Sequence, residues 1–123
     1  MMAEKARLFH DDARYASILH ASTPAECKEL GRQVASFDTE VWKTARYEIV
    51  KAGNKAKFEQ EPRLMRLLLS TGDTLLAEAS PNDRIWGIGM DAQEAARTVP
   101  AEWCGQNLLG KILMELRTEF RRV

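Results

Sequence analysis

TLLAEASPNDRIWGIG, residues 74 to 89, decides how this chain is classified. Its first seven residues are short, apolar and bounded by turn residues, the pattern of a buried strand. Ser80-Pro81-Asn82-Asp83 carries turn chemistry, and IWGIG (85 to 89) is a candidate partner strand beyond it. The surroundings read as helix, so the expected fold class is α+β, helix-dominated, with a small β-sheet.

Toward the N-terminus, Pro62 suits the start of a helix over LMRLLLST, which Gly72 can end in a left-handed cap. Before it, Asp38 can cap a helix running to about residue 59, with apolar Val41, Trp42, Ala45, Ile49 and Ala52 at helical spacing. The other face of that helix is basic: Lys43, Arg46, Lys51, Lys55 and Lys57. Thr23-Pro24-Ala25-Glu26 reads as a capping box and predicts a helix over 24 to 34. Residues 3 to 20 read as helical, with a break near His10-Asp11-Asp12. Toward the C-terminus, 90 to 104 reads as loop with one helical turn. Leu108, Leu109, Ile112, Leu113, Leu116 and Phe120 then mark an amphipathic helix from about 106 to 121. Without repeats, low-complexity tracts or linkers, residues 1 to 123 read as a single domain.

The chain has 18 basic and 18 acidic residues in 123, so no net field draws it onto nucleic acid, and anion binding has to be local. No apolar run approaches the roughly 20 residues of a membrane span. The start, MMAEKARLFHDD, lacks the features of a signal peptide, so a cytoplasmic location and no membrane partner are expected. Cys27 and Cys104 follow no redox or metal spacing and read as buried thiols. His10 and His20 have no partner at a ligand spacing; no metal and no cofactor are expected.

Several residues can carry chemistry. Glu78 lies in an otherwise apolar stretch, where an acid is costly unless paired or functional, although strand alternation can turn it outward. Asp83 can cap the turn after Pro81 or serve a site. Glu78 is expected to be the more buried of the two. Trp86 offers a flat face for a base or flavin-precursor ring, or a core side chain that needs only a partner for its indole N–H. Gly87 and Gly89 permit close backbone approach by a ligand, or simply a bend. Trp42 and Arg46 share one helical face and could stand as an aromatic wall beside a phosphate fork; Asn54 and Phe58 repeat the spacing. Asn54 after Gly53 costs helix propensity and points to close packing or ligand contact. The N–H groups of Trp103-Cys104-Gly105-Gln106-Asn107, ahead of a strong helix, could hold a phosphate, with Asn107 as contact or as cap.

Six strings in order, AEKA (3 to 6), LGR (30 to 32), VWKTARYEIVKAGNKAKF (41 to 58), LLLSTGD (67 to 73), LAEASPNDRIWGIG (76 to 89) and WCGQNLLGKILMELR (103 to 117), resemble the YbiA-like or NADAR family. The resemblance implies an N-glycosidase, a hydrolase acting on ribose joined to a nitrogen of a base. Its substrates would be phosphorylated intermediates of riboflavin biosynthesis, or ADP-ribose on guanine in nucleic acid. It brings forward Lys5, otherwise a solvated helix lysine, as nucleophile or electrostatic catalyst. It keeps Glu78 and Asp83 as groups for the ribosyl cation and water, with Trp42, Arg46, Asn54, Trp86, Gly87 and Asn107 as substrate contacts. Family members carry a Ser-x-Glu-His pair upstream of the AEKA-type lysine, and Met1 stands just after that position, so the resemblance implies an N-terminally shortened domain. An absent edge strand would leave apolar surface, which suggests a homo-oligomer. A non-catalytic module that keeps an ADP-ribose or nucleotide pocket is the competing reading.

Overall fold

The computed structural model describes residues 1–35 and 37–122. Its helices are α1 (Met2–Leu8), α2 (Asp12–Leu19), α3 (Pro24–Arg32), α4 (Thr39–Gln60), α5 (Pro62–Ser70), α6 (Ala92–Ala96) and α7 (Leu108–Arg121), with a 3-10 turn at Pro100–Glu102. The chain divides into two compact units, Met1–Gly53 and Asn54–Val123, with the boundary inside α4.

In the first unit α1, α2 and α3 pack on one another. The break between α1 and α2 has a local cause. His10 adopts a left-handed backbone, φ 57°. Asp11 then caps α2 by accepting from the Arg14 amide at 3.1 Å, and its other carboxylate oxygen accepts from the Ala35 amide at 2.7 Å. One aspartate thereby starts a helix and ties down the chain 24 residues on. The Thr23 hydroxyl accepts from the Glu26 amide at 3.1 Å, and Glu26 reaches back to the amide and hydroxyl of Ser22 rather than to Thr23. Asp38 starts α4 by accepting from the amides of Glu40 and Val41. Ala6, Phe9, Ile18 and Val34 form the core, ringed by Met2, Tyr15, Leu30 and Trp42 among others. A Cβ on Gly31 would sit 2.9 Å from Met2 Cγ, so the Met2 side chain packs directly over this glycine.

In the second unit α5 packs on α7, and Phe58 of α4 meets Phe120 with ring centroids 6.4 Å apart. Leu68, Ile88, Met90, Ile112 and Leu116 are buried. Beyond the α5 C-cap, Thr71, Gly72 takes a left-handed backbone, φ 65°. The turn that follows is held by two arginines one helical turn apart on α7. Arg117, itself buried, donates to the Thr71 hydroxyl at 2.9 Å and the Thr74 carbonyl at 2.8 Å; Arg121 reaches Asp73 at 2.8 Å and the Gly72 carbonyl.

The α+β expectation is overturned: among the described residues there is no strand and no sheet, and the fold class is all-α. Residues 74 to 80 run without regular structure, and the reason lies in what answers the backbone of each half of TLLAEASPNDRIWGIG. The carbonyls of Arg84, Ile85, Trp86 and Gly87 accept from the amides of Gln106, Leu108, Leu109 and Asn107 at 2.8 to 3.1 Å. IWGIG therefore serves the start of α7 and is not available for a ladder. The Ile88 amide donates to the Glu78 carbonyl at 2.9 Å, and the Asp83 amide to the Ser80 carbonyl at 3.4 Å across the turn, with no ladder between the two halves among the described residues. The Leu76 carbonyl and the Glu78 amide are met by the Asn107 side chain instead.

Candidate active site

In the first unit the leading candidate residue is Lys5. α1 carries it half-buried, with Nζ 4.4 Å from the Phe37 ring centroid and 5.8 Å from that of Trp42. Phe37 is 43% exposed and meets Phe9 edge-on, centroids 5.2 Å apart. Burial lowers the Lys5 pKa below its ordinary 10.5, and the positive charge of Arg32 lowers it further. The two ring faces act the other way, since a π face attracts the ammonium form. The result is an amine held in place by aromatic rings and shifted toward the neutral, nucleophilic form. Arg46 lies one turn beyond Trp42 on α4, half-buried. Phe37 and Arg32 carry no sequence signal for this role; only tertiary packing brings them to Lys5.

In the second unit the loop 78 to 89 packs backbone to backbone against 104 to 107. A Cβ on Gly87 would lie 2.9 Å from both the Glu78 and the Asp83 carbonyl oxygens, and one on Gly105 2.8 Å from the Ile88 carbonyl carbon. Gly89, at φ 74°, is crowded by Cys104 and Arg84. These glycines admit neighbouring backbone. Asp83 closes the turn with one carboxylate oxygen, which accepts from the amides of Ile85 at 3.0 Å and Trp86 at 2.8 Å.

The expected burial order of the two acids is reversed: Glu78 is exposed and Asp83 half-buried. Without a sheet, nothing turns the Glu78 side chain inward. Trp86 is half-buried between Asp83 and the start of α7. Asn54 is half-buried on the stretch of α4 that belongs to this unit, and a Cβ on neighbouring Gly53 would meet nothing within 4 Å. Asn107 is 6% exposed and left-handed, φ 53° and ψ 43°. Its Oδ1 accepts from the Glu78 amide at 3.0 Å and its Nδ2 donates to the Leu76 carbonyl at 2.9 Å. The amides of residues 106 to 109 are all engaged by loop carbonyls.

Both cysteines are free, but Cys104 is exposed and Cys27 only half-buried, against the expectation of two buried thiols. Among the described residues no three His, Cys, Asp or Glu side chains come together as a metal site, and no helix is long and apolar enough to cross a membrane.

Lys5 under aromatic rings and the Glu78 to Gly89 loop are the positions carried by the AEKA and LAEASPNDRIWGIG strings. A family model described as the NADAR domain matches residues 1–121. The chain belongs to the NADAR domain family. One family model thus spans both compact units. N-glycosidase R617 of Acanthamoeba polyphaga mimivirus is 46% identical over 119 residues, which is 97% of this NADAR chain and 70% of R617. N-glycosidase YbiA of Escherichia coli (strain K12) is 30% identical over 115 residues, 94% of this chain and 65% of YbiA. The chloroplastic riboflavin biosynthesis protein PYRR of Arabidopsis thaliana is 35% identical over 104 residues, 81% of this chain but 16% of PYRR. The NADAR chain therefore corresponds to about two thirds of the length of the two N-glycosidases.

Proposed function

We propose that this NADAR domain acts as an N-glycosidase on the ribosyl C–N bond of a phosphorylated ribosyl-base compound. The observation that carries the reading is the Lys5 amine, shifted toward neutrality by burial and by Arg32 and seated under Phe37 and Trp42. It is supported by relatives named N-glycosidase and by one named for riboflavin biosynthesis.

Hydrolysis requires a bond from water oxygen to C1 while the C1–N bond breaks, its electron pair leaving on the base, which takes up a proton. Alternatively Lys5 Nζ attacks C1, the base leaves, and ring opening gives a Schiff base that water resolves. Positive charge develops on the ribosyl ring in either route, where Glu78 and Asp83 are the proposed stabilising or water-activating carboxylates. Trp86 and Trp42 are the proposed stacking faces for the base, and Arg46 and Asn54 the proposed contacts to the phosphorylated ribose. The two substrate classes are riboflavin-pathway intermediates and ADP-ribosylated guanine in nucleic acid.

One specific observation favours the competing reading of a non-catalytic nucleotide-binding module: Asp83 is already engaged in closing its own turn. Incubation with both substrate classes separates the readings. Release of ribose phosphate or ADP-ribose is expected, with Lys5→Ala lowering the rate at least about 100-fold, the scale typical of proton-transfer catalysis. Borohydride added during turnover is expected to fix the sugar to Lys5 if the Schiff-base route operates. Binding of substrate with no release of sugar would establish the module instead.

A further inference from the structure

Asn107 is one of the buried polar side chains of the second unit, 6% exposed. Asn107 places both ends of its carboxamide on one extended segment, Oδ1 on the Glu78 amide and Nδ2 on the Leu76 carbonyl, across 29 and 31 residues. Its own amide donates to the Gly87 carbonyl at 2.9 Å. The side chain is buried, and Gly110 lies directly beneath it, where a Cβ would strike the Leu76 carbonyl and both polar atoms of the Asn107 carboxamide. The left-handed backbone that aims it is one that asparagine tolerates better than most residues do. Neighbouring amides of 106, 108 and 109 hold Arg84, Ile85 and Trp86 from the same point. A segment with no ladder of its own and a loop with no sheet beneath it therefore share one anchor.

We propose that Asn107 is a positioning residue: its carboxamide fixes Glu78, and its backbone with the adjoining start of α7 fixes Trp86, so that the two are presented as one rigid edge. This rests on the N-glycosidase reading for its consequence, though not for its geometry. Asn107 is then a support for Glu78 rather than a contact to the ribose. Buried hydrogen-bonded supports of this kind set the angle and distance of the group they hold, and misplacement of about 1 Å can cost about 100-fold in rate.

Two variants test it. Asn107→Gly keeps the left-handed backbone and removes the carboxamide; Asn107→Asp keeps Oδ1 for the Glu78 amide but replaces the donor to the Leu76 carbonyl with a second acceptor. Amide hydrogen exchange on the full chain is the first readout. In the wild-type protein the Glu78 amide is expected to be protected, and Asn107→Gly is expected to speed its exchange about tenfold, the loss of one hydrogen bond. Amides of α1 to α3 are expected to be unchanged. Turnover is the second readout: Asn107→Gly is expected to lower kcat about 10- to 100-fold with KM little altered, and Asn107→Asp to fall between it and wild type. Equal Glu78 exchange in wild type and Asn107→Gly would overturn the proposal. So would a raised KM with kcat intact, which marks a ligand contact. If the wild-type protein releases no sugar, the N-glycosidase reading fails while hydrogen exchange still decides whether Asn107 holds the edge.

Discussion

At Lys5, three effects compete within a few ångströms. Burial and the Arg32 charge disfavour the ammonium, and the faces of Phe37 and Trp42 favour it. The net direction is a lowered pKa, so the unfolded chain binds this proton more tightly than the folded one does. Stability contributed by the neutral amine is therefore fully present above 10.5 and is lost as pH falls through the lower folded value. The same shift is visible directly in acylation of Lys5, followed by mass spectrometry across a pH series. Its midpoint is expected below 10.5. Arg32→Ala is expected to move it up by removing a repelling charge, and Phe37→Leu to move it down by removing the ring that favours the cation. A wild-type midpoint at or above 10.5 would leave Lys5 an ordinary lysine and remove the main support for a nucleophilic role.

Two elements show how the same residue type acquires opposite meanings. Gly87 lies in a loop, and Gly53 inside the 22-residue helix α4. From sequence, both read as places where a ligand could come close. Around Gly87 the space is filled by the Glu78 and Asp83 carbonyls, backbone atoms that cannot swing aside; around Gly53 it is empty. Gly87→Ala is expected to destabilise by about 1–3 kcal/mol through overpacking. Gly53→Ala is expected to stabilise by about 0.5–1 kcal/mol, the helix-propensity difference alone. Urea denaturation of the two variants measures both. A neutral Gly87→Ala would mean that the 78 to 89 loop is looser than its hydrogen bonds imply, and a destabilised Gly53→Ala would reveal a packing partner on that face of α4.

For the molecule as a whole, what could be read from sequence was what is decided within one helical turn. Thr23 with Glu26, Asp38 with Val41, and Pro62 with Gly72 fix helix ends through bonds spanning a few residues, and the helices stand where those signals put them. The AEKA and LAEASPNDRIWGIG strings likewise carried Lys5, Glu78, Asp83 and Trp86 as candidates before any fold was known. TLLAEAS was misread because its fate is set about 30 residues away, by an asparagine whose value depends on a left-handed φ that no local pattern announces. The surroundings of Lys5 were equally hidden, since Phe37 and Arg32 lie 32 and 27 positions further along the chain and come to it only by tertiary packing. The sharpest whole-molecule test therefore concerns the absent sheet. The infrared amide I band is expected to show helix and irregular structure with no strand component, because the carbonyls of 84 to 87 are answered by the amides of 106 to 109. Asn107→Gly would release the Leu76 carbonyl and the Glu78 amide while leaving those four carbonyl bonds in place, so it too should show no strand signal at low concentration. A strand component that appears in the variant and grows with protein concentration would report freed 74 to 80 edges pairing between copies. One already present in the wild-type protein, and independent of concentration, would contradict the all-α architecture itself.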